Sequence, residues 1–373
     1  VVIAVEDLHW ADSETRSVLD AIVETLPHSR ILVLVSYRPD YERAWGSRSF
    51  YTHLRVDPLM PESVEALLST LLGDDVGLGR LKDLVREQTG GNPLFLEESV
   101  RALVETEALT GERGAYRLSR PVAAVQISPS VVSLLAARID RLAERDKHLL
   151  QSASVIGKDV PAPLLVSIAE MPEDDLRASL AALQAGEFLY ERSLFPDLEY
   201  TFKHALTHEV AYGSLLRDRR RDLHGRIVDS IGALYRDRLP EHVERLAHHA
   251  QQSERWTQAV DFCWQAGRKA IARSANREAV AYFDQALAAL EHHIDEGTLD
   301  QAFDIRLDLR SALIPLGEFL RVFQMLHDLE SLAERLRDRR RQGLVYALMA
   351  GAYPNLGQTE QAVAYGERAR EIA

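Results

Sequence analysis

Two acidic side chains, Glu6 and Asp7, follow directly on the apolar run Val1-Val2-Ile3-Ala4-Val5. Such a run of Val and Ile reads as a strand buried on both faces, as in the centre of a parallel sheet. Ligands of open α/β sheets sit outside the carboxyl ends of the strands, so acids placed there can reach a bound Mg²⁺ and its phosphates. In that chemistry Glu6 holds the Mg²⁺, usually through water, and Asp7 orients or activates the attacking water. A buried strand that merely ends in a turn has the same outline. A second apolar run, Ile31 to Val35, predicts a parallel neighbour, and Ser36-Tyr37-Arg38-Pro39 then falls at the same edge.

Further candidates lie downstream. Gly90-Gly91-Asn92-Pro93 breaks the chain and restarts it as a helix, with Asn92 as N-cap and Pro93 at the first helical position. His204, in Phe202-Lys203-His204-Ala205-Leu206, stands where a strand turns into a helix. A neutral imidazole N–H at a helix N-terminus can donate to a diphosphate oxygen, and a histidine that only caps or packs locally fits the same position. His204 and His208 are four apart beside Glu209, but the HExxH order and a third ligand are absent, which argues against zinc. The motif G-x-x-x-x-G-K-[ST] does not occur, and Gly157-Lys158-Asp159 reads as an ordinary loop.

The elements that must position these residues are mostly helices. After the opening strand, Asp12 or Ser13 caps a helix whose apolar face is Val18, Leu19, Ile22, Val23 and Leu26. Leu54, Val56 and Leu59 alternate as a last short strand, and helices are expected from Pro61 to Leu72 and from Gly79 to Thr89. Between Ser128 and Leu216 three or four helices precede two strands, Phe188 to Arg192 and Glu199 to Lys203, joined by a Pro-containing turn, the outline of a winged helix. Amphipathic helices follow at Pro240 to Gln252 and Trp256 to Arg273. Asn276 to Phe283 then resembles Gln358 to Tyr365, and Leu316-Gly317 mirrors Leu356-Gly357. That 40-residue spacing exceeds the ~34 of tetratricopeptide pairs, so the helices should be longer.

Asp7-Leu8-His9-Trp10-Ala11-Asp12, Gly91-Asn92-Pro93-Leu94-Phe95 and Phe202-Lys203-His204-Ala205-Leu206 together resemble the signal-transducing ATPases of the AAA-related, STAND type. These occur in large LuxR-type bacterial regulators and behind class III adenylate or guanylate cyclase domains. The resemblance implies a mostly α chain. Residues 1–60 would be the C-terminal part of a P-loop NTPase core with its Walker B, 61–118 a helical lid, 128–218 a winged helix, and 219–373 incomplete tetratricopeptide-like repeats. It implies ATP and Mg²⁺ as cofactors in the complete protein, Arg38 as the sensor-1 contact to the γ-phosphate, Pro93 against the adenine ring and His204 on the diphosphate. Without the family Arg38 is a surface arginine before a turn, and a helix cap explains Pro93. Glu6 departs from the more usual Asp at the Mg²⁺ position. The repeats would bind a protein, peptide or small-molecule inducer.

A chain of 373 residues holds two or three domains. No apolar run approaches membrane-span length, so no membrane contact is expected, and the single cysteine fits a cytoplasmic protein in a reducing cytosol. The net charge of −13 argues against a general nucleic-acid binder, and the single Cys263 excludes an internal disulfide. Acids Glu173, Asp174 and Asp175 in the winged-helix stretch argue against direct DNA binding, and Arg217 to Arg221 reads as a solvated helix surface. The sequence opens inside a strand and closes inside a repeat, which predicts a fragment of a larger switch. A non-hydrolysing repeat scaffold and a DNA-binding regulator are the alternatives.

Overall fold

The computed structural model describes residues 1–11, 13–38, 41, 45–125, 127–193, 198–292 and 296–373. It is mostly helical and divides into two compact units, 1–52 with 231–373 and 53–230. No described helix is long and apolar enough to cross a membrane. Asp12, Pro39 and Pro196 in the turn between the last two strands lie outside the described residues.

In the first unit β1 (Val2–Val5) and β2 (Leu32–Val35) flank α1 (Ser13–Thr25) and pair in parallel, Val2 opposite Leu32 and Val5 opposite Val35. The expected burial on both faces is not found: Val2, Leu32 and Leu34 are 67%, 58% and 56% exposed. A continuous apolar run favours the strand but says nothing of how many layers cover it. α1 buries Leu19 and Val23, one turn apart, and leaves Val18 exposed, a narrower face than its periodicity suggests. Trp45 Nε1 donates to Asp20 Oδ1 at 2.5 Å and Arg48 pairs with Glu24, which straps the following segment onto α1.

The second unit opens with a correction. Leu54 and Val56 are exposed and no strand forms, because the Leu59 N–H is taken by Gly91 O at 2.9 Å rather than by a strand partner. Helices α2 (Pro61–Leu72), α3 (Gly79–Thr89) and α4 (Pro93–Glu105) follow; proline or glycine marks every edge but the last, where Thr106 caps α4. Asn92 Oδ1 accepts from Phe95 N at 3.1 Å, a side-chain cap for α4. Leu68, Leu72, Leu81, Val85, Leu96 and Leu103 make the core of this bundle, closed by a short hairpin of β3 (Leu109–Thr110) and β4 (Arg117–Leu118).

Four helices then lead to a small sheet: α5 (Val131–Asp140), α6 (Glu144–Ile156), α7 (Ala162–Ala169) and α8 (Glu173–Ala185), with β5 (Asp159–Pro161) between α6 and α7. β6 (Leu189–Ser193) and β7 (Leu198–Phe202) lie within a residue of their expected places, and the antiparallel order is β5-β7-β6. Asp159 is thus not in an ordinary loop; it opens β5 opposite Thr201, whose Oγ1 donates to its carboxylate at 2.9 Å. α9 (Ala205–Gly213) follows β7, and α10 (Arg217–Leu234) runs from this unit into the other. In its basic run Arg217, Arg219 and Arg221 are exposed, and Arg219 pairs with Asp222 at 3.0 Å.

Among the described residues, seven helices complete the first unit: α11 (Val243–Gln252), α12 (Trp256–Ala272), α13 (Asn276–Leu290), α14 (Glu296–Leu313), α15 (Phe319–Leu336), α16 (Arg339–Ala352) and α17 (Thr359–Ile372). Pro240, the expected start of α11, sits in a 3₁₀ segment instead. Five turns share one geometry. Glu254, Ser274, Gly317, Arg337 and Gly357 all have φ between 53° and 73°, each two residues before a helix. The next residue donates its N–H five residues back, as Arg255 to Ala250 O (3.0 Å) and Gln358 to Tyr353 O (3.2 Å). This is the Schellman arrangement, in which a left-handed residue lets the chain reverse while satisfying the last carbonyls. Successive turns stand twenty residues apart at 254–274, 317–337 and 337–357, so two helix-and-turn units give the forty-residue repeat. A small residue sets the closeness of α12 and α13: a Cβ on Gly267 of α12 would lie 2.5 Å from the Phe283 ring of α13.

Candidate functional site

The candidate residues fall into two groups, one in each unit. Glu6 and Asp7 are exposed at the carboxyl end of β1, and the parallel register brings Ser36 and Arg38 to the same edge. Asp7 N–H donates to Ser36 Oγ at 3.0 Å, and Leu8 N–H to Ser36 O at 2.8 Å. Asp7 itself has φ 54° and ψ 44°, the left-handed region, and its carboxylate makes no capping bond. A non-glycine residue held there stores strain, and such positions concentrate at functional sites. Leu8, 1% exposed, anchors the turn, so backbone bonds rather than the carboxylates hold this edge. Both carboxylates are left facing solvent, and hard oxygen donors of this kind suit Mg²⁺. Arg38 is exposed, and its carbonyl accepts from Tyr41 N at 3.0 Å.

In the other unit Pro93 is exposed at the first position of α4. Gly91 before it has φ 79°, and a Cβ there would meet Leu59 O at 2.6 Å, so glycine is needed for the turn that presents Pro93. His204 is the N-cap residue of α9 by its backbone, since His204 O accepts from Thr207 N and His208 N, but its side chain makes no capping bond. Its Nε2 is buried without a hydrogen-bond partner. Burial, helped by the Lys203 charge, lowers the imidazole pKa, while Glu98 and Glu97 oppose that shift. The ring is therefore held neutral and lies close enough to α4 for those acids to act on it. A neutral imidazole with an unmet ring nitrogen at a helix N-terminus can donate to an anionic oxygen. His208 is different: Nε2–H donates to Ser154 O at 2.9 Å, and the ring packs edge-on against Phe202, 5.1 Å between centroids. The histidine pair at 204 and 208 is thus not a metal pair.

Sequence reasoning missed the ionic cluster beside His204. Arg138 of α5 is 2% exposed and uses its guanidinium as a fork. Nη1 pairs with the equally buried Glu98, Nε and Nη2 donate to Glu105 Oε1 at 2.8 and 2.5 Å, and Nη2 also donates to Gly186 O at 3.0 Å. Phe188 lies under the guanidinium at 4.7 Å. Arg101 of α4 and Lys203 both pair with Glu187. Burial opposes ionisation of Glu187, but hydrogen bonds from Lys203 and Arg101 outweigh it and bring its pKa down to about 2. The signal was present: Arg138 stands among Leu134, Leu135 and Ile139 on the apolar face of α5, and Glu98 and Glu105 are seven apart on α4.

A family model described as "Domain of unknown function (DUF8739)" matches residues 61–117, the segment from α2 into β4. An uncharacterized protein of Rhizobium meliloti (strain 1021), R02095, is 26% identical over 289 residues, 77% of this chain and 28% of that protein. The chain thus spans under a third of the length of that curated relative. Among solved structures, the STAND protein with a tetratricopeptide repeat sensor, PH0952 from Pyrococcus horikoshii, shares 12% identity at a TM-score of 0.42. The match covers 100% of this chain and 62% of that one, a likeness too slight to assign any residue.

Proposed function

We propose that the chain is the regulatory part of a signal-transducing ATPase of the STAND type. Residues 1–60 form the acidic edge of the nucleotide domain, 61–118 its lid, 128–218 a winged-helix reporter, and 219–373 a tetratricopeptide-like sensor for a protein, peptide or small molecule. The observation that carries this reading is Asp7, strained, exposed and fixed only by its backbone at the carboxyl end of a parallel strand. The residues suit Mg²⁺ and ATP: exposed carboxylates at Glu6 and Asp7, and an unmet ring nitrogen at His204. When bound, Mg·ATP supplies a γ-phosphate open to water. Glu6 would offer a hard oxygen to the ion, Asp7 would orient a water, and Arg38 would offer positive charge. Pro93 would present an apolar ring to a base, and His204 would donate to a phosphate oxygen. The output is an attached domain such as a nucleotide cyclase or a transcriptional regulator.

The test uses the protein expressed from its complete gene. Asp7→Asn should retain nucleotide and lose turnover, because it removes a group that acts in the transition state. His204→Ala should hydrolyse but fail to close, read as unchanged proteolysis of 119–128 on adding nucleotide. Hydrolysis at the parent rate by Asp7→Asn overturns the catalytic reading. A second reading, a repeat scaffold without turnover, is favoured by the regular Schellman turns.

A further inference from the structure

We propose that Arg138 is a positioning residue, which holds the Pro93-bearing helix α4 and the His204-bearing end of β7 as one rigid edge. The inference rests on the reading of Pro93 and His204 as parts of one ligand site, but its geometry stands without it.

Arg138 spends four donor contacts on three residues of two separate elements, α4 and the end of α8. Glu98 and Glu105 fix it along two turns of α4. Gly186 O is the carbonyl at the C-terminal cap of α8, the negative end of that helix, where a guanidinium is favoured. Arg101, also from α4, donates to the same carbonyl at 3.4 Å and pairs with Glu187, the left-handed residue (φ 56°) that turns the chain toward β6. Glu187 in turn holds Lys203, the neighbour of His204. The connection from α4 to His204 is therefore ionic and continuous. An apolar contact between the same elements would tolerate sliding. A buried fork with several fixed acceptors does not, because any shift strands a charge away from water.

Such pairs contribute little net stability, since desolvation offsets their attraction, and register is their best-attested use. That separates positioning from mere support. In Arg138→Met with Glu98→Leu the buried charges are removed together, so the protein should stay folded. Arg138→Lys keeps a cation beside Glu98 but cannot reach Glu105 and Gly186 O at once.

The experiment is a spin-label distance measurement on the 373-residue chain, without nucleotide, between Gln88→Cys on α3 and Glu191→Cys on β6, both exposed. Cys263 is buried, and burial pushes its thiol up to about 12, so it stays unlabelled. The parent should give one narrow distribution. Arg138→Lys and Arg138→Met/Glu98→Leu should broaden it at least twofold while the melting temperature of the double variant stays at or above the parent's. An unchanged width in both variants overturns the positioning role and leaves the ATPase reading untouched. Broadening here, with parent-rate hydrolysis by Asp7→Asn in the complete protein, sinks that reading and leaves the positioning role standing.

Discussion

Replacing Asp7 by glycine should make the protein more stable and less active. The left-handed region costs a typical L-residue about 1–2 kcal/mol, and Asp sits near the low end because its short polar side chain tolerates it. Glycine removes that strain but adds about 0.5–1 kcal/mol of unfolded-state entropy. The Asp7 carboxylate makes no capping bond, and the Asp7 N–H bond to Ser36 Oγ survives the change. The net is a gain of at most about 0.5 kcal/mol, or at most about 1–2 °C in melting temperature for a unit of this size. Asp7→Asn tolerates the same backbone and should fall within about 0.5 kcal/mol of the parent. Differential scanning calorimetry on the 373-residue chain measures both, with hydrolysis followed in the complete protein. A loss of 1 kcal/mol or more in Asp7→Gly would show that the carboxylate is a structural group. The assignment of Asp7 as the water-orienting acid would then fail.

The repeats give a paired test. Gly317→Ala and Gly357→Ala should each cost about 1 kcal/mol from backbone strain alone, since nothing lies within 4 Å of the added Cβ at either site. Gly267→Ala, which drives a methyl into the Phe283 ring, should cost about 1–3 kcal/mol by overpacking, and equal costs at all three sites would contradict the distinction. Glu187 has a folded-state pKa of about 2 against an ordinary 4.5, so its stabilisation is full above pH 4.5 and is lost as pH falls toward 2. Glu187→Gln should flatten that part of the acid-unfolding curve, and an unaltered curve would refute the pairing. Duplex DNA should not bind with a steep salt dependence, given the first turn of α8 with Glu173, Asp174 and Asp175; a salt-sensitive, sequence-specific gel shift favours the DNA-binding alternative.

Elements with local punctuation were legible. Pro61, Gly73, Gly79, Asn92 and Pro93 set the ends of α2, α3 and α4, and alternation placed β6 and β7 within a residue. What depends on a distant partner was not. Leu54 and Val56 alternate like a strand, yet the hydrogen bonding of Leu59 is decided by Gly91. The two faces of β1 and β2 depend on which layers cover them, which a run of Val and Leu does not specify. β3, β4 and β5 have two or three residues each, too few to show a period. The forty-residue repeat was legible from Gly317 and Gly357, but its twenty-residue half was hidden, because Glu254, Ser274 and Arg337 occupy the equivalent turns without glycine.

The candidate site divides along the same line. Glu6, Asp7, Pro93 and His204 come from short contiguous strings, which is why sequence could single them out; Arg138 acquires its meaning only from Glu98, Glu105 and Gly186, 33 to 48 residues away. An arginine on a leucine-lined helix face is improbable unless acids meet it there, so the anomaly itself pointed to a partner. The partner turned out to be α4. That helix begins at Pro93, buries Glu98 in its second turn and ends at Glu105, so ligand candidate and ionic fork share one rod. A push on the exposed ring at its first residue is therefore resisted at the seat of His204 by charges that cannot leave their partners without being stranded, and any signal between the two must move them together.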